Sequence, residues 1–91
     1  MFNIGDRVHN ISLFSVNTPV SGGFPWNRED TATVVEYHPH GTQWHTHIYT
    51  TPIYMIRYDR TWMTEEAYNN YFNPVYPAHE SQLVKVEDFG K

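Results

Sequence analysis

Ile53-Tyr-Met-Ile-Arg-Tyr-Asp59 is the segment of this chain with the strongest structural signal. It is a run of β-branched and aromatic residues of strand length, which is typical of a β-strand. Its alternation predicts that Tyr54, Ile56 and Tyr58 face the interior and that Arg57 faces water. Three further runs have the same character and predict three more strands: Phe2–Val8, Thr31–Tyr37 and Glu80–Val86.

The segments between these runs predict how the strands are connected. Within Thr31–Tyr37 we expect alternate side chains to face the interior (Thr33, Val35 and Tyr37) and the others to face water (Ala32, Val34 and Glu36). Prolines and a Gly-Gly pair predict a long loop at residues 15–30, and prolines favour an excursion with its own short hairpin at residues 38–52. A capping threonine and helical spacing predict a short helix at residues 64–72. The sequence therefore predicts a single mainly-β domain of about five short strands with one helical insertion.

Composition limits the classes of function. The 91 residues carry a formal net charge of −4, and the six Lys and Arg residues are scattered. General nucleic-acid binding needs clustered positive charge and is therefore disfavoured. No apolar run approaches the ~20 residues that cross a bilayer, and no polybasic stretch or apolar leader is present, so we expect a cytoplasmic protein that does not bind membranes. The compact size would suit a phage or accessory-element protein.

Four short segments carry a resemblance to a known architecture: Gly5-Asp-Arg-Val8, Val34-Val-Glu-Tyr37, Tyr54-Met-Ile-Arg-Tyr-Asp59 and Leu83-Val-Lys-Val86. They resemble the strands of small SH3-like barrels of the Tudor and KOW-like kind. The layout is also similar to the small SH3-like barrel protein of photosystem I and to plasmid-borne dihydrofolate reductases. The resemblance implies an SH3-like barrel fold. It implies little about function, because the photosystem protein is basic and the Val-Gln-Ile-Tyr active-site motif of the reductases has no counterpart here.

Aromatic residues make up 16% of the chain, which is more than a small barrel interior can hold. We expect some of them to be exposed and to bind a partner, because Tyr and Trp give a large contact area at low entropic cost. Tudor-like domains hold methylated lysine or arginine in an aromatic cage, and the matching end of this chain offers similar residues. The predicted binding residues are Phe24, Trp26, Trp44, Tyr58, Asp59 and Trp62.

The segment His38-Pro-His-Gly-Thr-Gln-Trp-His-Thr-His47 is rich in histidine. A hairpin loop at Gly41–Trp44 would place the histidines of its two arms opposite each other on one face. Such a face could hold a divalent transition metal through neutral imidazoles. The alternative is an exposed polar hairpin without metal, because the proline weakens the pairing and no cysteine is present. The candidate metal ligands are His38, His40, His45 and His47.

We find no catalytic motif, because the serines lie in no nucleophile pattern and no glycine loop precedes a helix. We therefore predict that the chain is not an enzyme. The preferred hypothesis is a non-catalytic binding module that recognises another protein through aromatic loop residues, as an inhibitor or adaptor. The first alternative is a homo-oligomer that binds a small nucleotide-like or cofactor-like ligand between its chains. The second alternative is a histidine-rich metal-binding protein.

Overall fold

The computed structural model describes residues 1–13, 26–59, 65–70 and 74–90. Within these ranges the strands are β1 (Arg7–Asn10), β2 (Thr31–His38), β3 (Gln43–Trp44), β4 (His47–Ile48), β5 (Ile53–Tyr58), β6 (Val75–Ala78) and β7 (Leu83–Lys85). Helix α1 (Glu65–Asn70) lies between β5 and β6, and two 3₁₀ turns flank β7, at Glu80–Gln82 and Val86–Asp88. The prediction of a mainly-β fold with one short helix is confirmed.

Five strands form one antiparallel sheet in the order β6-β5-β2-β1-β7. Strand β2 lies at the centre of this sheet and pairs with both β1 and β5. The last strand returns to the first, where Val84 lies opposite His9. Strands β3 and β4 form a separate two-stranded hairpin between β2 and β5. The predicted excursion with its own short hairpin is therefore confirmed.

The interior is built from aliphatic and tyrosine side chains of the main sheet. Tyr54 and Tyr58 are each 1% exposed and Ile56 is fully buried, whereas Arg57 faces water, as predicted. Full burial of a large apolar side chain contributes roughly 1.5–3 kcal/mol to folding. The core cluster comprises Val8, Trp26, Ala32, Val34, Tyr54, Ile56, Tyr58, Tyr68, Ala78 and Leu83.

The predicted facing of β2 is wrong over its first half. Ala32 and Val34 are fully buried, whereas Thr33 is partly exposed. The strand register explains this, because Thr33 lies between Arg7 of β1 and Arg57 of β5, which both extend into water. Cross-strand neighbours share a face of the sheet, so the two arginines fix the outward position of the threonine. The β-branched character of the run gave no indication of this choice of face.

A β-bulge reverses the facing of the second half of β2. The register with β5 shifts between Val34 and Glu36. One extra residue in a strand moves every following side chain to the opposite face. Tyr37 therefore lies opposite Tyr54, with ring centroids 4.6 Å apart, and packs against the core. The prediction that Tyr37 faces the interior is therefore confirmed, and the bulge is the reason that it does so.

Helix α1 confirms the helix predicted at residues 64–72, although both ends of that span lie outside the described residues. Tyr68 attaches the helix to the sheet, since its ring is 8% exposed and its hydroxyl donates to the carbonyl of Tyr58. Two glutamates occupy the first turn, where the helix dipole favours negative charge. None of the helices in the described part of the chain is long and apolar enough to cross a membrane.

The strands differ from the sequence prediction at several points. The last strand, β7, runs from Leu83 to Lys85 and not over Glu80–Val86, because both ends of that run form 3₁₀ turns. Strand β1 begins at Arg7 and not at Phe2, because Gly5 adopts a φ of 96° in a turn that precedes the strand. Strand β6 was not predicted, because Pro77 lies inside it. Proline cannot donate to a neighbouring strand, but β6 is at the edge of the sheet, where one side of the strand needs no partner.

Candidate functional site

Trp26 is a core residue and not an exposed binding anchor. Its side chain is 2% exposed and lies nearly parallel to the ring of Tyr58, with centroids 5.0 Å apart. The indole Nε1 donates to the backbone carbonyl of Asp59 at 2.9 Å. A buried indole whose N–H is satisfied in this way supports the fold. The expectation that Trp26 is exposed to a partner is wrong, because the aromatic residues of the strands cover it.

Tyr58, another predicted binding residue, is sealed in the same cluster. Only 1% of its surface is exposed, and its hydroxyl accepts a hydrogen bond from Asn10 Nδ2 at 3.0 Å. Burial raises the pKa of Tyr58 to about 12, although the Asn10 hydrogen bond opposes this change. The prediction that Tyr58 contacts a partner fails for the same reason as that for Trp26.

Asp59 is partly exposed, but it is the centre of a structural clamp. Its two carboxylate oxygens accept hydrogen bonds from both terminal nitrogens of Arg7, one of them at 2.9 Å, and Thr31 also donates to it. Burial alone would raise the pKa of Asp59, but the hydrogen bonds from Arg7 and Thr31 and the charge of Arg7 lower it overall. Phe24 and Trp62, the remaining predictions at this end, lie outside the described residues.

The histidine-rich hairpin turns at a different place from the predicted one. Trp44 lies opposite His47, and the chain reverses at His45, which has a φ of 53°. The prediction of a loop over Gly41–Trp44 is therefore wrong, because the last two residues of that range form β3. The chain reverses after Trp44 and not before it.

This shift separates the four candidate metal ligands. His38 ends β2, His40 precedes the hairpin, His45 lies in the turn and His47 lies on β4. Across the residues that the structure describes, which include all of these histidines, no group of three or more His, Cys, Asp or Glu side chains is placed to hold a metal ion. The convergence predicted for these imidazoles is wrong, since the pairing it required is not formed.

The base of the hairpin is fixed by a close backbone approach. Gly41 has a φ of 86°, and a Cβ atom there would lie 2.0 Å from the carbonyl oxygen of Tyr49. Real side chains cannot make so short a contact, so the position requires glycine. The Tyr49 N–H also donates to the carbonyl of Thr42 at 2.8 Å. These contacts close the base of the hairpin by holding its two arms together.

Among the predicted aromatic binding residues that the structure describes, Trp44 is the one that remains partly exposed. Its ring lies 5.3 Å from the ring of Tyr76 on β6, between centroids, at an interplanar angle of 49°. The indole lines a cleft of about 250 Å³ between the hairpin and the main sheet. We call this site the Trp44 cleft; Trp44 lines it together with Glu36, His38, Thr42, Gln43, Met55 and Val75.

The lining of the Trp44 cleft is mostly polar and includes a carboxylate. Met55 is 6% exposed and contributes an apolar side chain to the lining. His38 Nε2 lies 3.1 Å from Glu36 Oε1, a distance at which the imidazole N–H donates to the carboxylate. Sequence reasoning missed Glu36, Met55 and Val75 as site residues, because they belong to three strands and meet only through the strand register.

Comparison with known proteins gives no relative from which a function could be inferred. No protein-family model matches the chain, and neither curated proteins nor solved structures give a significant match. The function is therefore inferred from the geometry of the described residues.

Proposed function

We propose that this chain is a non-catalytic module that binds another protein through the Trp44 cleft. The observation that carries this proposal is the partly exposed indole of Trp44 on a hairpin whose base is fixed at Gly41. Tryptophan is enriched at the hot spots of protein interfaces, where it fills pockets on the partner. A preformed site also loses little conformational entropy on binding, which leaves more of the contact energy as affinity.

The contrast between the tryptophans supports this choice of site. Trp26 has a structural role, because it is buried and its N–H is bound within the chain. Trp44 lies outside the core cluster and packs at the edge of the sheet, where β6 presents Tyr76. An inhibitor or adaptor needs a rigid contact surface and does not need a catalytic group. A module of this kind would meet that requirement. We also assign the fold to the SH3-like barrels, an assignment that the return of the last strand to the first supports.

Peptide selection tests the proposed binding surface. Random peptides displayed on phage are selected on the immobilised chain, and the enriched peptides are then measured by biolayer interferometry. We expect Trp44→Ala to weaken their binding about tenfold or more, as truncation of a hot-spot residue does. Ile48→Ala is the matched control, because Ile48 is 68% exposed on the same hairpin and is not among the residues that line the Trp44 cleft.

The pattern of affinities decides the result. Peptides that lose affinity for Trp44→Ala and keep it for Ile48→Ala support the Trp44 cleft as the binding surface. Peptides that bind both variants as well as they bind the original chain contradict the proposal, and so does a selection that enriches no peptide. Circular dichroism of Trp44→Ala must match that of the original chain, so that loss of fold is not mistaken for loss of contact.

A second function, binding of a small nucleotide-like or cofactor-like ligand between the chains of a homo-oligomer, stays a prediction. It requires an oligomer, so light scattering coupled to size exclusion would test it directly. A monomer at all concentrations would contradict this alternative and leave the proposed protein-binding module unaffected.

A further inference from the structure

This inference rests on the proposed function and specifies what the Trp44 cleft recognises. We propose that the cleft receives a basic side chain of the partner, lysine or arginine. Its charged head would meet the carboxylate of Glu36 and the face of Trp44, while its aliphatic stem would lie along Met55 and Val75. All four of these residues line the same cleft.

The charges of the lining favour a cation. Glu36 is ionisable and its side chain is 57% exposed, and no lysine or arginine is among the described residues that line the cleft. His38 holds one carboxylate oxygen, Oε1, at 3.1 Å. We assign the other oxygen, Oε2, to the incoming cation. A cation would pair with this carboxylate, whereas an anionic guest would be repelled by it and an apolar guest would gain nothing from it.

The indole supplies the second element of recognition. A cation over the face of tryptophan is attracted by the ring quadrupole, and tryptophan is the best of the aromatic residues for this contact. The chain already contains such a contact, since the guanidinium carbon of Arg57 lies 5.3 Å from the ring centroid of Tyr68. Stacking on a ring and pairing with a carboxylate together distinguish a basic side chain from an apolar side chain of equal length.

The size of the cleft fits one long side chain. Its volume of about 250 Å³ corresponds to roughly eight water molecules in the liquid. That space accepts the stem and head of a lysine or arginine. Met55 and Val75 would contact the stem, because basic side chains commonly place their methylene groups against apolar side chains and keep the charged head in a polar environment.

Nuclear magnetic resonance titration tests this inference with defined probes. The probes are acetylated and amidated tripeptides with the central residue lysine, arginine or norleucine between glycines. We expect the lysine and arginine peptides to shift the indole N–H signal of Trp44 and the amide of Glu36. The indole N–H of Trp26 is an internal control, because it is buried and bonded to the Asp59 carbonyl, and it should not move.

Two variants separate a specific carboxylate from general charge. Glu36→Gln should weaken binding of the lysine and arginine peptides about threefold or more. Glu87→Gln is the matched control, because it changes the net charge equally at an exposed position outside the cleft. Equal weakening by both variants would overturn the inference, and so would equal binding of the norleucine peptide.

The two proposals can fail separately. If selected phage peptides depend on Trp44 but bind equally well after Glu36→Gln, the cleft is a protein-binding surface that does not recognise a cation. If the selected peptides are insensitive to Trp44→Ala, the proposed function itself is wrong. Specific recognition of a basic side chain requires that peptide binding depend on both Trp44 and Glu36, and each dependence is measured on the full chain.

Discussion

Alkaline pH should destabilise this protein through Tyr58. The phenol is 1% exposed, and burial raises its pKa from 10.0 to about 12. Burial disfavours the charged phenolate, so the unfolded chain releases this proton first as the pH rises. The stability that the neutral phenol contributes is therefore complete below about pH 10 and decreases as the pH rises towards about 12.

The magnitude follows from the two pKa values. With a pKa of ~10 in the unfolded state and ~12 in the folded state, the free energy of unfolding falls by ~1.4 kcal/mol between about pH 8 and about pH 11. Tyr58→Phe removes the ionisable group and should remove this part of the pH dependence. The variant also loses the hydrogen bond from Asn10 Nδ2, so its stability at neutral pH should fall by about 1 kcal/mol.

Urea unfolding at several pH values, followed by circular dichroism, measures both effects. Tyr54 is also buried, and burial is the largest cause of its raised pKa. The original chain therefore loses stability at alkaline pH through this second phenol as well. The difference between the original chain and Tyr58→Phe isolates the single group. Tyr37→Phe is the matched control, because it deletes a tyrosine whose ring is only partly buried. If the chain and Tyr58→Phe lose stability in parallel up to about pH 11, burial of this phenol does not set its pKa.

Three further predictions concern the clamp, the core and the hairpin. Asp59→Asn should lower the free energy of unfolding by about 1 kcal/mol near neutral pH, because it weakens the pairing with Arg7. It should also flatten the decrease of this free energy below about pH 4, because the Asp59 carboxylate has a lowered pKa. A double-mutant cycle with Arg7→Met, measured by urea unfolding, would show no coupling if the clamp were unimportant. Trp26→Phe should cost about 2–3 kcal/mol in chemical denaturation, since it removes a buried ring and a hydrogen bond, and a cost near zero would contradict its place in the core. Gly41→Ala should speed hydrogen exchange of the hairpin amides and weaken peptide binding, because the added Cβ would clash with the backbone of Tyr49. Gly5→Ala is the control and should change neither, because Gly5 has a similar φ but open space around its Cα. Equal effects of the two variants would exclude the close approach as the cause.

The sequence predicted the strands other than β6 because their local chemistry agrees with their final positions. The run from Ile53 is rich in β-branched and aromatic residues, and all of it up to Tyr58 becomes β5. The helix was predictable for a similar reason, since capping and spacing are local signals. The facing of β2 was not predictable, because Thr33 and Val34 are both compatible with a strand interior. The arginines on the neighbouring strands fix the choice, and that information is not local.

The site was less predictable than the fold. Trp26 follows a segment rich in proline and glycine, which favours an exposed position, yet it packs parallel to Tyr58. Long-range contacts decided its burial. Gly41 suggested the tip of a hairpin, because glycine is common in turns. In the fold, Gly41 lies at the base of the hairpin, where its backbone closely approaches that of Tyr49. The turn therefore lies further along the chain than predicted, and the histidines are separated.

The aromatic residues divide into two roles once their contacts are compared. A small domain has little interior, so each buried ring contributes a large share of its stability. Trp26 and Tyr68 belong to this group, because both lie in the core cluster and hydrogen-bond to the end of β5. Trp44 is outside that cluster and remains partly exposed beside a cleft. Folding explains the first group without any partner, whereas the partly exposed Trp44 is the residue through which we propose that a partner binds.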